Sequence, residues 1–284
     1  MSRAADHAER MAPALAVALA LAVGVTPLVG CGGTSNAASR PRPQSTYHAV
    51  AAPRLIWHEG QRVDVDVQVQ QTDLATVADR AVPTSLSVRP TQSIQVTAVQ
   101  GGRATLRVET TGLTWLENRS ELIAPSPPGP FQVQVDPRGV LEAGEYWSLP
   151  NHPRPPGTDL FSAGLPDGHV ERGDRWAARW QRTTRDDLTL AYQVSSVASQ
   201  ASAEGLTVDS HLDWAVSQLS NTSGGDVERL QATGHGDVRS AFDVARGQVR
   251  ETSYTVTYDT TDTTGASAVH TQGSLRAELR FRYR

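Results

Sequence analysis

The strongest constraint on this chain is a period of two. In Gln61 to Gln70 the valines Val63, Val65, Val67 and Val69 alternate with Arg62, Asp64, Asp66 and Gln68. A strand sends successive side chains to opposite faces, so this pattern predicts one buried and one wet face. The pattern returns in Ser93 to Val99 and Arg103 to Glu109, on either side of Gly101-Gly102. A Gly-Gly pair suits a two-residue hairpin because both positions take positive φ. Phe131, Val133 and Val135 alternate next, and Asp136-Pro137-Arg138-Gly139 predicts a turn into a strand at Val140.

The second half repeats the theme. Trp176, Ala178 and Trp180 alternate, then Leu188 to Val194, Leu206 to Val216, and Tyr254, Val256 and Tyr258. At the end, Leu275, Ala277, Leu279, Phe281 and Tyr283 face one way, and Arg276, Glu278, Arg280, Arg282 and Arg284 the other. Nowhere does a helical period run far. The expected body is all-β, with antiparallel sheets in two related β modules forming a sandwich or a half-barrel. Few short helices are expected. One is Thr72 to Ala81 with Asp73 as its N-cap, stopped by Pro83; another lies around Leu160.

Three anchors recur in order. Gly60-Gln61-Arg62-Val63 matches Gly173-Asp174-Arg175-Trp176, and Gln95 to Val99 matches Gln193 to Val197. Phe131-x-Val133, closed by Arg138-Gly139, matches Phe242-x-Val244, closed by Arg246-Gly247. The extra residues of each copy fall near Pro83 and Asn221, in expected loops. The implied layout is a β module over 55–147, a Pro/Gly-rich connector over 148–170 and a second β module over 171–284.

Before the body lies an apolar run from Met11 to Cys31, broken by Gly24 and Pro27 and closed by Leu28-Val29-Gly30-Cys31. It is short and interrupted for a permanent span, and it fits a cleaved signal over residues 1–30. The closing four residues resemble the lipobox of bacterial lipoproteins. That resemblance implies that Cys31 is acylated on sulfur and becomes the new N-terminus after cleavage. It also implies a membrane anchor, since several acyl chains together hold stably. Residues 31–54 are small, polar and Pro-containing and read as a flexible tether, with a coil size of roughly 25–30 Å.

Leu165-Pro166, Val170 and Gly173-Asp174-Arg175-Trp176 resemble a pattern in uncharacterised β-rich bacterial lipoproteins. A fainter, fold-level resemblance is to half-barrel lipoproteins that carry lipids across the envelope, which would imply an apolar concave sheet under a helical cover.

The residue inventory excludes several chemistries. Cys31 is the only cysteine, so no intramolecular disulfide, thiolate metal site or iron–sulfur cluster can form. All 26 basic residues are arginine, which removes Schiff-base and P-loop lysines. A net charge of -4 argues against a general nucleic-acid binder. Asp209-Ser210-His211 and Asp213 bring acid, hydroxyl and imidazole close in sequence. On a strand, Ser210 and His211 point to opposite faces, so they are read as an exposed strand and not a triad. Asp209, His211 and Asp213 share a face, but the His and Cys spacings of a metal site are absent. Asp64 with Asp66, and Asp259 with Asp262, read as solvated charge and turn chemistry. The arginine stripe of the last strand reads as a device that keeps an edge soluble. The tryptophans Trp57, Trp115, Trp147, Trp176, Trp180 and Trp214 read as core filling.

No catalytic, cofactor or metal residue is therefore expected. The expectation is an extracytoplasmic, lipid-anchored envelope lipoprotein, non-enzymatic, binding or scaffolding an envelope protein or lipid. The alternative is a carrier of an apolar ligand, and a hydrolytic enzyme ranks last.

Overall fold

The computed structural model describes residues 52–77, 80–118, 120–121, 130–144, 164–183, 189–221, 227–264 and 267–284. They form twelve strands and no helix. The first half supplies β1 (Arg62–Val77), β2 (Arg80–Gln100), β3 (Arg103–Glu117), β4 (Ser120–Glu121), β5 (Phe131–Val135) and β6 (Leu141–Gly144). The second supplies β7 (Arg175–Thr183), β8 (Thr189–Ala201), β9 (Gly205–Asn221), β10 (Val227–Asp243), β11 (Gln248–Thr264) and β12 (Ser267–Tyr283). All lie in one sheet, ordered β6-β5-β3-β2-β1-β12-β11-β10-β9-β8-β7, with β4 beside β3. Every ladder is antiparallel, as the alternation predicts. Each half is a meander, and β1 pairs with β12 to join them. No ladder joins β6 to β7, so the sheet is not closed into a barrel.

One face of this sheet is predominantly apolar. Val63, Val65, Val88, Ile94, Leu106, Ala198, Leu212 and Val256 are all buried, and residues of both halves share one core. With no helix among the described residues to cover that face, the sheet covers it by rolling onto itself. Two straps tie the roll at its base. In the first, Leu55 N–H donates to Pro137 O at 2.7 Å and Ile56 N–H to Gly247 O at 2.9 Å, so one segment links the β5–β6 turn to the β10–β11 turn. In the second, Leu165 N–H donates to Arg138 O at 2.8 Å, and Trp176 Nε1 donates to Gly164 O at 2.9 Å. The second strap thus bridges the two edges of the sheet. Leu55, Trp57, Leu165 and Val170 are buried beneath the straps.

Three sequence expectations give way here. The segment from Thr72 to Ala81 is not a helix: Thr72 to Val77 end β1 and Arg80 begins β2. Extended pairing with β12 and β2 outweighs the N-cap signal of Asp73. Pro83 is tolerated because, among the described residues, β2 at that height pairs with β1 alone. The expected helix near Leu160 lies outside the described residues. The arginine stripe lies on no edge, because β12 is central. Arg282 bonds Asp66 at 2.6 and 2.8 Å, Arg284 pairs with Asp64, and Arg280 lies 3.8 Å from Glu251. Asp64 and Asp66, read as merely solvated, are its partners. Arg54, placed in the tether, donates to Pro166 O at 2.7 Å and pairs with Asp167 at 3.3 Å, so the body begins before Leu55.

The two halves open on the same hydrogen-bonded turn. Gly60 N–H donates to Val96 O and Val96 N–H returns to Gln61 O, both at 2.9 Å. Gly173 and Ala198 repeat the exchange at 2.7 and 2.9 Å, with Asp174 O accepting. Both glycines have positive φ, 80° and 94°, which a side chain would disfavour. The turn after β5 is held by Asp136, whose Oδ1 accepts from Arg138 N–H and Val140 N–H. The turn after β10 is held by Asp243, whose Oδ1 accepts from Arg246 N–H. These turns pair Val96 with Ala198 and Asp136 with Asp243. The anchors read from sequence, Gln95 with Gln193 and Phe131 with Phe242, stand four residues from that register. A shift of four keeps every side chain on its face, so alternation cannot detect it.

Asp243 is buried, and its Oδ2 accepts from Arg250 at 2.6 Å. The Arg250 hydrogen bond holds its pKa below the ordinary carboxylate value against the opposing effect of burial. Its contribution is therefore present above about pH 4 and lost as pH falls through the lowered folded value. Asp243→Asn is expected to be less stable than wild type at neutral pH in urea unfolding. The gap should narrow when both are measured near pH 3; a gap that stays constant would show that the charge is not responsible.

Candidate functional site

The exposed face of the second half carries a groove of about 930 Å³ that crosses β7 to β12. Ladder register builds it from two rows of outward side chains. Arg175, Val197, Asp209, Arg239 and Ser253 stand opposite one another in succession across β7 to β11. Ala177, Ser195, His211, Asp237, Thr255 and Arg276 form the next row, two residues further along each strand. Between the rows the residues are Trp176, Ser196, Ser210, Val238 and Tyr254, whose side chains face the interior. Small side chains at Ala177, Ser195, Ser253 and Thr255 leave the trough open, and charged ones border it.

The acids of the groove are already engaged. Asp209 pairs with Arg239 at 3.3 Å. Asp237 lies 3.0 Å from His211 Nδ1, and Asp213 lies 3.7 Å from its Nε2. The sequence reading of this stretch holds in its geometry: Ser210 is buried and bonds Ser196 at 2.9 Å, while His211 is outside with Asp237. Hydroxyl and imidazole are on opposite faces of β9, so they form no nucleophile–base pair. Among the described residues no group of three or more His, Cys, Asp or Glu side chains is placed to hold a metal. The part sequence reasoning missed is Asp237 and Arg239. They lie on β10, a strand not recognised because Gly234 and Gly236 interrupt its apolar face.

A second polar cluster lies inside. Across the sheet the register runs Trp214, Gly234, Tyr258, Gly273, Asp73 on β9, β10, β11, β12 and β1. The glycines make room for their large neighbours. A Cβ at Gly234 would overlap the Trp214 ring, and one at Gly273 would overlap Tyr258 and Asp73. Over Gly273 the Tyr258 hydroxyl donates to Asp73 Oδ1, while Gln71 Nε2 donates to Asp73 Oδ2 at 2.7 Å. Burial first, then the Asp73 charge, pushes the Tyr258 pKa upward, so the phenol stays protonated as a donor. Trp214 and Tyr258 rings meet at 6.4 Å, tilted by 46°. The hydrogen bonds to Asp73 make this cluster a polar bridge between the two halves.

The other candidates fall as follows. Leu28, Val29, Gly30 and Cys31 of the lipobox, and Trp147, lie outside the described residues. Trp57 and Trp214 are in the core and Trp176 packs against it. Asp262 is buried within β11 and Asp259 sits on its outer face, 3.4 Å from His270, so neither is at a hairpin tip.

No family model matches the sequence, and no curated protein does. Solved structures aligned to it include Pseudomonas aeruginosa OccK1 (OpdK), at 9% identity and a TM-score of 0.20, covering 78% of this chain and 99% of that one. An outer membrane channel from Pseudomonas putida F1 aligns at 9% identity and a TM-score of 0.21, covering 80% and 97%. Scores this low establish no shared fold.

Gly273→Ala is expected to lower stability by about 1–3 kcal/mol, because an added methyl in a packed site forces its neighbours apart. Urea unfolding measures it, with Gly168→Ala as control, since nothing lies within 4 Å of that Cβ. Equal losses in both variants would contradict the close approach of Tyr258 and Asp73 over Gly273.

Proposed function

We propose that this chain is a lipid-anchored lipoprotein of a bacterial envelope whose β body binds or scaffolds another envelope component without catalysis. The anchor rests on Leu28-Val29-Gly30-Cys31 at the end of the apolar run. The binding role rests on one observation above others: the apolar side chains of the inner face are spent on the core, and the groove of β7 to β12 is bordered by arginine, aspartate and histidine side chains and opens outward. A core of buried side chains shared by both halves supports recognition through the surface over carriage of an apolar ligand. The repeated turns at Gly60 and Gly173, and at Asp136 and Asp243, support descent of the two halves from one module.

The carrier remains the second reading. Val82, on the inward face of β2, is 37% exposed, so the roll is less tightly packed towards the β1–β2 tip. An environment-sensitive fluorescent fatty acid separates the two. Binding no greater than to an unrelated soluble control protein supports the surface role, and saturable micromolar binding would replace it with the carrier.

Metabolic labelling with a fatty acid tests the anchor. Wild type is expected to incorporate label and to fractionate with membranes. Cys31→Ser is expected to lose the label and to keep its N-terminal segment. Equal labelling of both would refute lipidation at Cys31.

A further inference from the structure

We infer that the outer groove of β7 to β12 is a binding site for an anionic, hydroxyl-rich polymer, with Arg175, Arg239 and Arg276 taking its carboxylate or phosphate groups. The inference deepens the proposed binding role and takes from it only that the body meets an envelope component.

The shape argues for a polymer. Six adjacent strands at about 4.8 Å spacing make a trough roughly 24 Å long. It is open along its length and does not enclose a small molecule. Over β8 to β11 every strand has a partner on both sides, so backbone N–H and C=O groups are consumed by ladders. An extended peptide that adds to a sheet needs an unpaired edge, which within the groove is found at β7, so recognition along β8 to β12 falls to side chains.

The chemistry argues for anions bearing hydroxyls. The lining holds three arginines against two aspartates, in a chain whose net charge is -4. Both aspartates are engaged by their own chain, Asp209 with Arg239 and Asp237 with His211. Arg276 in turn donates to Glu278 Oε1 at 3.1 Å; a guanidinium has five N–H donors, and one carboxylate oxygen leaves most of them available. Arg175 is exposed and pairs with no carboxylate among the described residues. Planar donor forks of this kind suit carboxylate and phosphate. Ser195, Ser253 and Thr255 supply neutral hydrogen-bonding groups on the floor. No exposed large apolar side chain lines the trough; Ile56, Leu74 and Val82 lie elsewhere. The exposed ring of the lining, the His211 imidazole, is already held by Asp237 at 3.0 Å.

The same scaffold in the first half is decorated differently. Where the groove has Ala177, Ser195 and His211 in register, the matching positions of β1, β2 and β3 are Asp64, Ser93 and Glu109. Two acids replace a small residue and an imidazole, and Asp64 is taken by Arg284. The cationic groove thus belongs to the second half alone.

The test is binding of the full chain, purified in detergent, to three polymers by isothermal titration calorimetry. Polygalacturonate presents carboxylates, poly(glycerol phosphate) presents phosphates, and dextran presents hydroxyls alone. At least one anionic polymer is expected to bind, weakening as salt rises, and dextran is not. Which anionic polymer binds more tightly identifies the charged group. The double variant Arg175→Gln/Arg239→Gln is expected to bind at least tenfold more weakly, with Arg175→Lys/Arg239→Lys intermediate. Arg62→Gln, in the first half, should bind as wild type. An unchanged melting curve shows that the exposed substitutions leave the fold intact. Dextran binding as tight as the anionic polymers, no binding to any of them, or a double variant within twofold of wild type would overturn the inference. So would binding to anionic phospholipid vesicles alone. Fatty-acid labelling at Cys31 is read separately, so loss of groove binding and loss of the anchor are distinct outcomes.

Discussion

The fold depends on the ladder between β1 and β12. Fifteen residue pairs, from Val63 with Tyr283 to Val77 with Val269, join the first strand of the body to its last. Without that ladder each half would be a meander with one apolar face and two free edges, exposed to solvent and to aggregation. With it, the halves become one sheet long enough to roll, and each half shields the apolar face of the other. The outer side of the ladder is matched in charge: Asp64 and Asp66 on β1 meet Arg284 and Arg282 on β12. Exposed ion pairs add little individually, about 0–1 kcal/mol. In the ladder itself Asp64 stands opposite Arg282 and Asp66 opposite Arg280, and a slip of two residues in one direction would set Asp66 opposite Glu278.

A sheet that is its own cover has no helix to absorb irregularities of packing, so the adjustments occur within the strands. Bulges at Val96/Ala98 and Ala198/Gln200 turn the chain at equivalent places in the two halves. Such bulges increase local twist, which a roll requires. Glycine performs the complementary task. Gly234 and Gly273 weaken β10 and β12 locally by removing side chains from the core. Trp214, Tyr258 and Asp73 occupy the vacated space, so the loss of packing is local to the strand and not to the core.

This explains what could be read from the sequence. The faces of β1, β9, β11 and β12 follow from Val63 to Val69, Leu206 to Val216, Tyr254 to Tyr258 and Leu275 to Tyr283, because alternation is a local property of the chain. The Gly101-Gly102 hairpin follows in the same way, with φ of 59° and 80°. Register between strands does not, since it is fixed by turns such as Asp136 and Asp243, and a four-residue slip is invisible to a period of two. β10 was hidden because two of its inward positions are glycine, Gly234 beneath the Trp214 ring and Gly236 against Val256. The groove was hidden for a related reason: its charged residues, Arg175, Asp209, His211, Asp237, Arg239 and Arg276, come from β7, β9, β10 and β12, and only register brings them together.

The division of labour between the two faces follows from the same geometry. Inward positions answer to packing, and several polar residues there are satisfied by near neighbours, as Asp73 is by Tyr258 and Gln71, and Ser196 by Ser210. Such groups have no capacity left for a ligand. Outward positions are free of that demand once the ladder is formed, and can change without loss of the core. The two halves illustrate this. At matching heights they keep the turn glycines and buried aspartates that hold the strands, while their outer rows diverge from Asp64, Ser93 and Glu109 to Ala177, Ser195 and His211. The inner rows differ too, Val63, Ile94 and Val108 standing where the second half has Trp176, Ser196 and Ser210, so what the halves share is the turn geometry that holds their strands in register.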